Sequence, residues 1–243
     1  EILPAGRAVE LFEGSPEKVR SRSSIVEALA AALVESGRYS DAVNLMDKTQ
    51  FVSGEGEKSV LETFRKAHLG LAREHQQRGR HAEAAAEFLR ATEYTRNLGV
   101  GRPAMESQAR EYVAAAREWE AAGRIQEAAA LWRRAAEEPL KSPTEPGEPW
   151  SEHYYFKAVA LGHMKQESEA HALYARLAAL SDDQEMLAGE ADPPRGVIRY
   201  VLAGLGLKAL GHTEQARAAL NRALTMDPQN DLAKTALQEL GSR

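Results

Sequence analysis

Five short segments of this chain repeat one pattern, and that repetition limits what it can fold into more than any other feature. Gly37-Arg38-Tyr39-Ser40-Asp41-Ala42, Gly79-Arg80-His81-Ala82-Glu83-Ala84, Gly123-Arg124-Ile125-Gln126-Glu127-Ala128 and Gly211-His212-Thr213-Glu214-Gln215-Ala216 share it, and Lys165-Gln166-Glu167-Ser168-Glu169-Ala170 is a degenerate copy without the glycine. The closing alanines lie 42, 44, 42 and 46 residues apart. A period of this size means supersecondary units stacked on one another. Each segment falls between two stretches with helical stepping: Val26, Leu29, Ala30 and Leu33 before a glycine, and Ala84, Phe88 and Ala91 or Ala128, Trp132 and Ala135 after one. Glycine suits the left-handed conformation that ends a helix before the chain turns back. The unit is therefore a helical hairpin, and about five are expected.

The hairpins carry their own packing code. Ala30, Ala72, Ala116, Ala158 and Gly204 recur on the first helices, and Ala42, Ala84, Ala128, Ala170 and Ala216 on the second. Small side chains let backbones approach, while Met46, Phe88, Trp132, Tyr174 and Leu220 fill the remaining space. The order of small, large, glycine, acidic and alanine positions resembles the tetratricopeptide repeat, and Ala216 to Pro228 is close to the second helix and terminator of that family. The resemblance spans about residues 23–230, with repeats at 23–56, 65–98, 109–142, 151–184 and 197–230. It implies an all-α fold, a right-handed α-α superhelix of the tetratricopeptide (TPR) type. Residues 1–22 are expected to form an extension and the start of the first helix, with a helix-start signal at Ser15-Pro16-Glu17, and 231–243 a capping helix. The period exceeds the 34 residues of the family, and the terminal proline occurs only in the last copy. The stretches Phe51 to Glu57 and Asn97 to Pro103 also resemble the repeat region of large bacterial proteins in which a β-sandwich domain of unknown function precedes the repeats.

Composition closes off several functions. A net charge of -5 and an isoelectric point near 5.9 disfavour nucleic acid, which asks for a basic face. The absence of cysteine excludes disulfides, thiolate metal sites and a cysteine nucleophile. The longest apolar run, Ala28 to Val34, is far shorter than the ~20 residues that span a bilayer. Neither a start methionine nor a signal peptide is visible at Glu1, so the chain reads as a piece of a larger protein, expected to be cytoplasmic and without a membrane partner.

No residue nominates itself for catalysis, and no metal or cofactor is expected. Among the seven histidines, His68, His75 and His81 occupy the slots of Tyr112, Trp119 and Ile125 one repeat later, so they read as packing within a hairpin. Asp41, Glu83 and Glu127 recur at one exposed turn, where a helix dipole favours a carboxylate. Glu137-Glu138 and Asp182-Asp183 read as solvated loop charges. There is no nucleophile elbow, phosphate loop or dinucleotide fingerprint, and Gly99-Val100-Gly101 falls between helices, as a turn. Pro139, Pro143, Pro146 and Pro149 read as an extended loop within a continuous solenoid, and Asp182 to Arg195, with Pro193-Pro194, as an insertion.

What remains is a surface. In the tetratricopeptide family the first helices line a concave face, and on it Lys66 and Arg73, then Arg110 and Arg117, stand seven residues apart and recur one repeat later. Tyr155 offers an aromatic neighbour, and Glu27 lies on the first hairpin. Leu69, Val113 and Tyr155 stand near the places where chaperone-binding members carry lysine and asparagine, which disfavours a chaperone-tail adaptor. The expectation is a non-catalytic scaffold that holds a protein or peptide, such as an acidic segment, or an adjacent domain of the same chain. The alternative is a regulatory or substrate-positioning module of an enzyme whose catalytic residues lie elsewhere. Against the basic strip stands a plainer reading, in which its cations are solvated or paired with Glu62, Glu74, Glu106 and Glu118.

Overall fold

The computed structural model describes residues 5–15, 22–51, 57–102, 106–140, 151–181 and 193–241. Among them are twelve α-helices and no strand. Helix α1 (Ala5–Glu13) precedes five hairpins: α2 (Ser23–Glu35) with α3 (Tyr39–Asp47), α4 (Glu57–Gln77) with α5 (His81–Arg90), α6 (Ala109–Ala121) with α7 (Ile125–Glu137), α8 (His153–His163) with α9 (Glu167–Ala178), and α10 (Pro193–Ala209) with α11 (Thr213–Met226). Helix α12 (Asp231–Gly241) follows. The protein is all-α and built from the helical hairpins that the repeated segments require.

Every hairpin is closed by the same three-residue turn, at 36–38, 78–80, 122–124, 164–166 and 210–212. Its middle residue is left-handed in each case: Gly37, Gly79, Gly123 and Gly211 have φ of 74°, 69°, 75° and 83°, and Lys165 has φ of 61°. The next N–H reaches back five residues, as Arg38 to Leu33 (2.8 Å), Arg80 to His75 (2.9 Å), Arg124 to Trp119 (2.8 Å), Gln166 to Leu161 (2.9 Å) and His212 to Leu207 (2.9 Å). These are the long bonds of the Schellman ending, which satisfy carbonyls left open at a helix C-terminus. The carbonyl of that same residue accepts the first bond of the second helix, from Ala42, Ala84, Ala128, Ala170 or Ala216. One residue thus ends one helix and begins the next. At two of the three arginines there, the side chain also pairs with the carboxylate three residues on: Arg38 Nε donates to Asp41 (2.7 Å) and Arg124 Nε to Glu127 (2.8 Å). The Arg124 hydrogen bond is the main reason the Glu127 carboxyl is held below its ordinary range.

The chain divides into two compact units, Glu1–Glu106 with Ala114–Ala129, and Ser107–Val113 with Ala130–Arg243. In the first, Val26, Ala30, Met46, Val60, Leu61 and Phe64 form a core with Phe51 and Leu98 from the connections. Leu29, Leu33, Ala42 and Ala67 form a second cluster, against which α1 lays Val9 and Phe12. In the second unit, Tyr154, Leu177, Leu202, Leu207 and Ala216 centre one cluster, and Val201, Leu205 and Leu220 meet Ala233 and Ala236 of α12 in another. The small residues read as contact points are buried throughout. A Cβ on Gly70 would fall 2.2 Å from the Tyr39 ring, and one on Gly206 would fall 2.7 Å from both the Tyr174 carbonyl and the Ala178 amide nitrogen. At Gly206 two helix backbones touch.

The connections are also specified. Asn97 donates its side-chain amide to the carbonyls of Met46 (2.9 Å) and Thr49 (3.1 Å), and its own carbonyl accepts the Phe51 N–H (2.7 Å). Gly99, with φ of 69°, ends a 3-10 turn over Arg96–Leu98, which is the turn role expected of it. Pro193 and Pro194 differ from the loop reading: they open α10, where an imide has no N–H to leave unpaired. Asn230 caps α12 by accepting the Ala233 N–H at 3.1 Å. Pro16, Glu17, the run 141–150 and Asp182-Asp183 lie outside the described residues.

Candidate partner-binding faces

In the first unit the helical phase of α4 decides which side chains are available. Phe64, Ala67, His68 and Ala72 turn inward and are buried, leaving Lys66 and Arg73 exposed two turns apart. Leu69 between them is half-buried, and Gly70 lies beneath the Tyr39 ring. On α6, Arg117 is exposed while its neighbours Ala116 and Glu118 are buried. Glu118 fastens α6 to the preceding hairpin: one oxygen accepts Gln76 Nε2 at 2.6 Å and the other lies 2.7 Å from His81 Nδ1. Lys66 and Arg117 make no ion pair among the described residues.

The neighbouring carboxylates are largely committed to other partners. Glu74 pairs with Arg78 at 3.3 Å, Glu118 is held as above, and Glu62 is exposed. Glu106 belongs to a half-buried triad with Arg65 and Tyr94: Arg65 Nη1 meets one oxygen at 2.5 Å, Arg65 Nη2 donates to the Tyr94 hydroxyl at 2.6 Å, and that hydroxyl donates to Glu106. The Arg65 hydrogen bond holds the Glu106 carboxyl below its ordinary range. Burial, followed by the hydrogen bond to Glu106, pushes the Tyr94 phenol up to about 12.

In the second unit, Arg110 is half-buried, with Nη1 2.6 Å from Glu152 and its guanidinium 6.0 Å from the Phe156 ring. Arg65 and Arg110 therefore do the same thing in their respective units. Each starts on a first helix and reaches a carboxylate just ahead of the following first helix, Glu106 or Glu152. Tyr155 is half-buried, 5.3 Å from Phe156 and 6.1 Å from Tyr174 between ring centroids, and packs against both apolar clusters of its unit. Of the five residues singled out from the sequence, Lys66, Arg73 and Arg117 are exposed in the first unit, while Arg110 and Tyr155 are half-buried in the second.

Two polar groups depart from the sequence reading or lie outside it. Glu138 is buried, not solvated: its carboxylate accepts the Gln108 N–H at 2.9 Å, at the start of α6, and its carbonyl accepts Lys157 Nζ at 3.0 Å. The signal was present, because Leu131, Ala135 and Glu138 continue one helical stripe. Nothing in the sequence marks Arg65, which sits one position from the exposed phase. The histidines divide between roles: His68 is buried edge-on to Phe64 at 4.3 Å with Nδ1 2.5 Å from Glu87, and His81 serves Glu118. Among the described residues there is no cluster of histidines and carboxylates able to hold a metal, and no helix long and apolar enough to cross a membrane.

Comparison with known proteins bears first on the fifth hairpin. Residues 199–230, from within α10 to the cap of α12, match the tetratricopeptide repeat family. No curated protein matches the chain. Among solved structures, it is similar to the crystal structure of YrrB, described as a TPR protein with an unusual peptide-binding site, at 16% identity, over 93% of this chain and 97% of that one, with a TM-score of 0.35.

Proposed function

We propose that this protein is a non-catalytic scaffold that holds a protein or peptide on the exposed faces of its first helices, and that Lys66, Arg73 and Arg117 of the first unit make the principal contact. A fifth hairpin that matches the tetratricopeptide repeat favours a protein-interaction module. The observation that carries the basic strip is the exposure of its three cations. Lys66 and Arg117 are exposed, with no ion pair among the described residues, while Glu74, Glu106 and Glu118 are engaged by Arg78, Arg65, Gln76 and His81. An acidic segment is the complementary partner, because arginine grips a carboxylate through two parallel N–H bonds. Arg110 and Tyr155 lie on the equivalent face of the second unit. There the Glu152 pair and the aromatic contacts give them a structural part, and partner contact is secondary.

Charge reversal tests this reading. The double variant Arg73→Glu with Arg117→Glu should keep the helical circular dichroism of the parent and retain less partner in a pull-down from the native host, and the residual capture should respond less to added salt. Undiminished capture by the folded double variant would remove the strip from the function.

A further inference from the structure

Lys66 and Arg73 are separated by two turns of one helix, a rise of about 10.5 Å, and both are exposed. A ligand that satisfies both must present its anions at that spacing and on one side. In a β-strand, residues two apart share a face but advance only about 6.8 Å, and residues four apart advance about 13.6 Å. In a polyproline II helix, residues three apart share a face and advance about 9.3 Å, close enough for a lysine and an arginine side chain to make up the difference. A ligand α-helix with carboxylates seven apart matches the rise as well, but a helix docks by burying an apolar stripe. Between the two cations α4 offers only Leu69, half-buried, and Gly70 under the Tyr39 ring. The strip has no apolar seam for a helix, and an extended chain with a solvated backbone needs none.

The third cation gives the strip a polarity. Arg117 occupies on α6 the place of Arg73 on α4, and the bond from Gln76 to Glu118 sets these helices side by side. Packed helix axes lie about 8–10 Å apart. The Arg73 end therefore has two guanidinium groups within reach, while the Lys66 end has a single ammonium.

We infer that the first unit takes an acidic segment in the polyproline II conformation whose carboxylates stand three residues apart, one meeting Lys66 and the other Arg73 with Arg117. This rests on the basic strip proposed above and adds the conformation and spacing of its ligand. The probes are synthetic proline-rich peptides of one composition, followed by fluorescence anisotropy on the whole chain at low salt: two glutamates three apart, two glutamates adjacent, and glutamines in their place. The first should bind about tenfold more tightly than the second, and the third should show no binding. In Lys66→Gln, an exposed substitution checked by circular dichroism, the preference between the first two should fall to under about twofold, because the spacing is read from that residue. Equal binding of the two glutamate peptides to the parent would overturn the inference, and so would tighter binding of a helical peptide with glutamates seven apart. If either occurred while Arg73→Glu with Arg117→Glu still lost capture, the strip would stand and its spacing rule would fall. If the double variant kept its capture, both would fall.

Discussion

Lys165 is the one described residue other than glycine with a positive φ, and it is found where four other hairpins place glycine. A left-handed backbone costs a residue with a Cβ roughly 1–2 kcal/mol. Lys165→Gly should recover part of this, about 0.5–1 kcal/mol once the added freedom of the unfolded chain is subtracted. The exposed position leaves no side-chain packing to lose. Gly123→Lys should destabilise by a similar amount, and urea midpoints unmoved in both variants would disprove the strain. The triad of Arg65, Tyr94 and Glu106 makes stability depend on pH at both ends. Glu106, held low, stabilises the fold above the ordinary carboxylate range, and this contribution is lost as pH falls through its depressed value. Tyr94, held high, contributes fully below its ordinary value of about 10, and the contribution is lost as pH rises toward about 12. Lysines titrate in the same alkaline range, so the check is the difference between parent and Tyr94→Phe. The parent should lose more stability than the variant between about 10 and about 12.

At the scale of helices, close approach dominates. Gly206→Ala should improve the intrinsic helix preference of α10 by about 1 kcal/mol, yet its Cβ meets backbone atoms of α9 that cannot rotate away. The net result should be a loss of about 1–3 kcal/mol. Gly204→Ala should cost less, because its nearest neighbours are atoms of the Leu220 side chain. Ala84→Leu in the first unit belongs to the overpacked class as well, at about 1–3 kcal/mol. Thermal unfolding of the three variants ranks them, and a Gly206→Ala protein as stable as the parent would mean that α9 and α10 are not in backbone contact. Helix ends were harder to read than helix faces. Val60, Leu61 and Phe64 extend the stripe of α4 back toward Glu57, but the repeat spacing drew attention to its later turns. Proline at the head of α10 reads as loop in the sequence because its usual meaning is interruption, whereas a first helical turn loses nothing to it.

Across the whole chain, the parts of the fold legible in the sequence were those with only one physical solution. Glycine at a left-handed turn and alanine at a helix crossing cannot be exchanged for most other residues at little cost, so glycine reappears in four of the five turns and alanine at the close of every repeated segment, and together they announce the hairpins. The candidate site was legible only in part. Exposure follows from helical phase, which is how Lys66, Arg73 and Arg117 were found, but pairing depends on side chains far apart in sequence. Nothing local to Arg110 reveals that Glu152, at a sequence distance of 42, will hold it. The same holds for Glu118, whose two partners come from the previous hairpin. The identical three-residue turns have a further consequence for how such a chain can change. The turn inside a hairpin does not vary in length, whereas the stretches from one hairpin to the next run over 48–56, 91–108, 138–152 and 179–192. The junctions are thus the places where length can change, and a protein engineer who wants to splice in a reporter should cut there, away from Phe51, Asn97 and Leu98, and leave the turns whole.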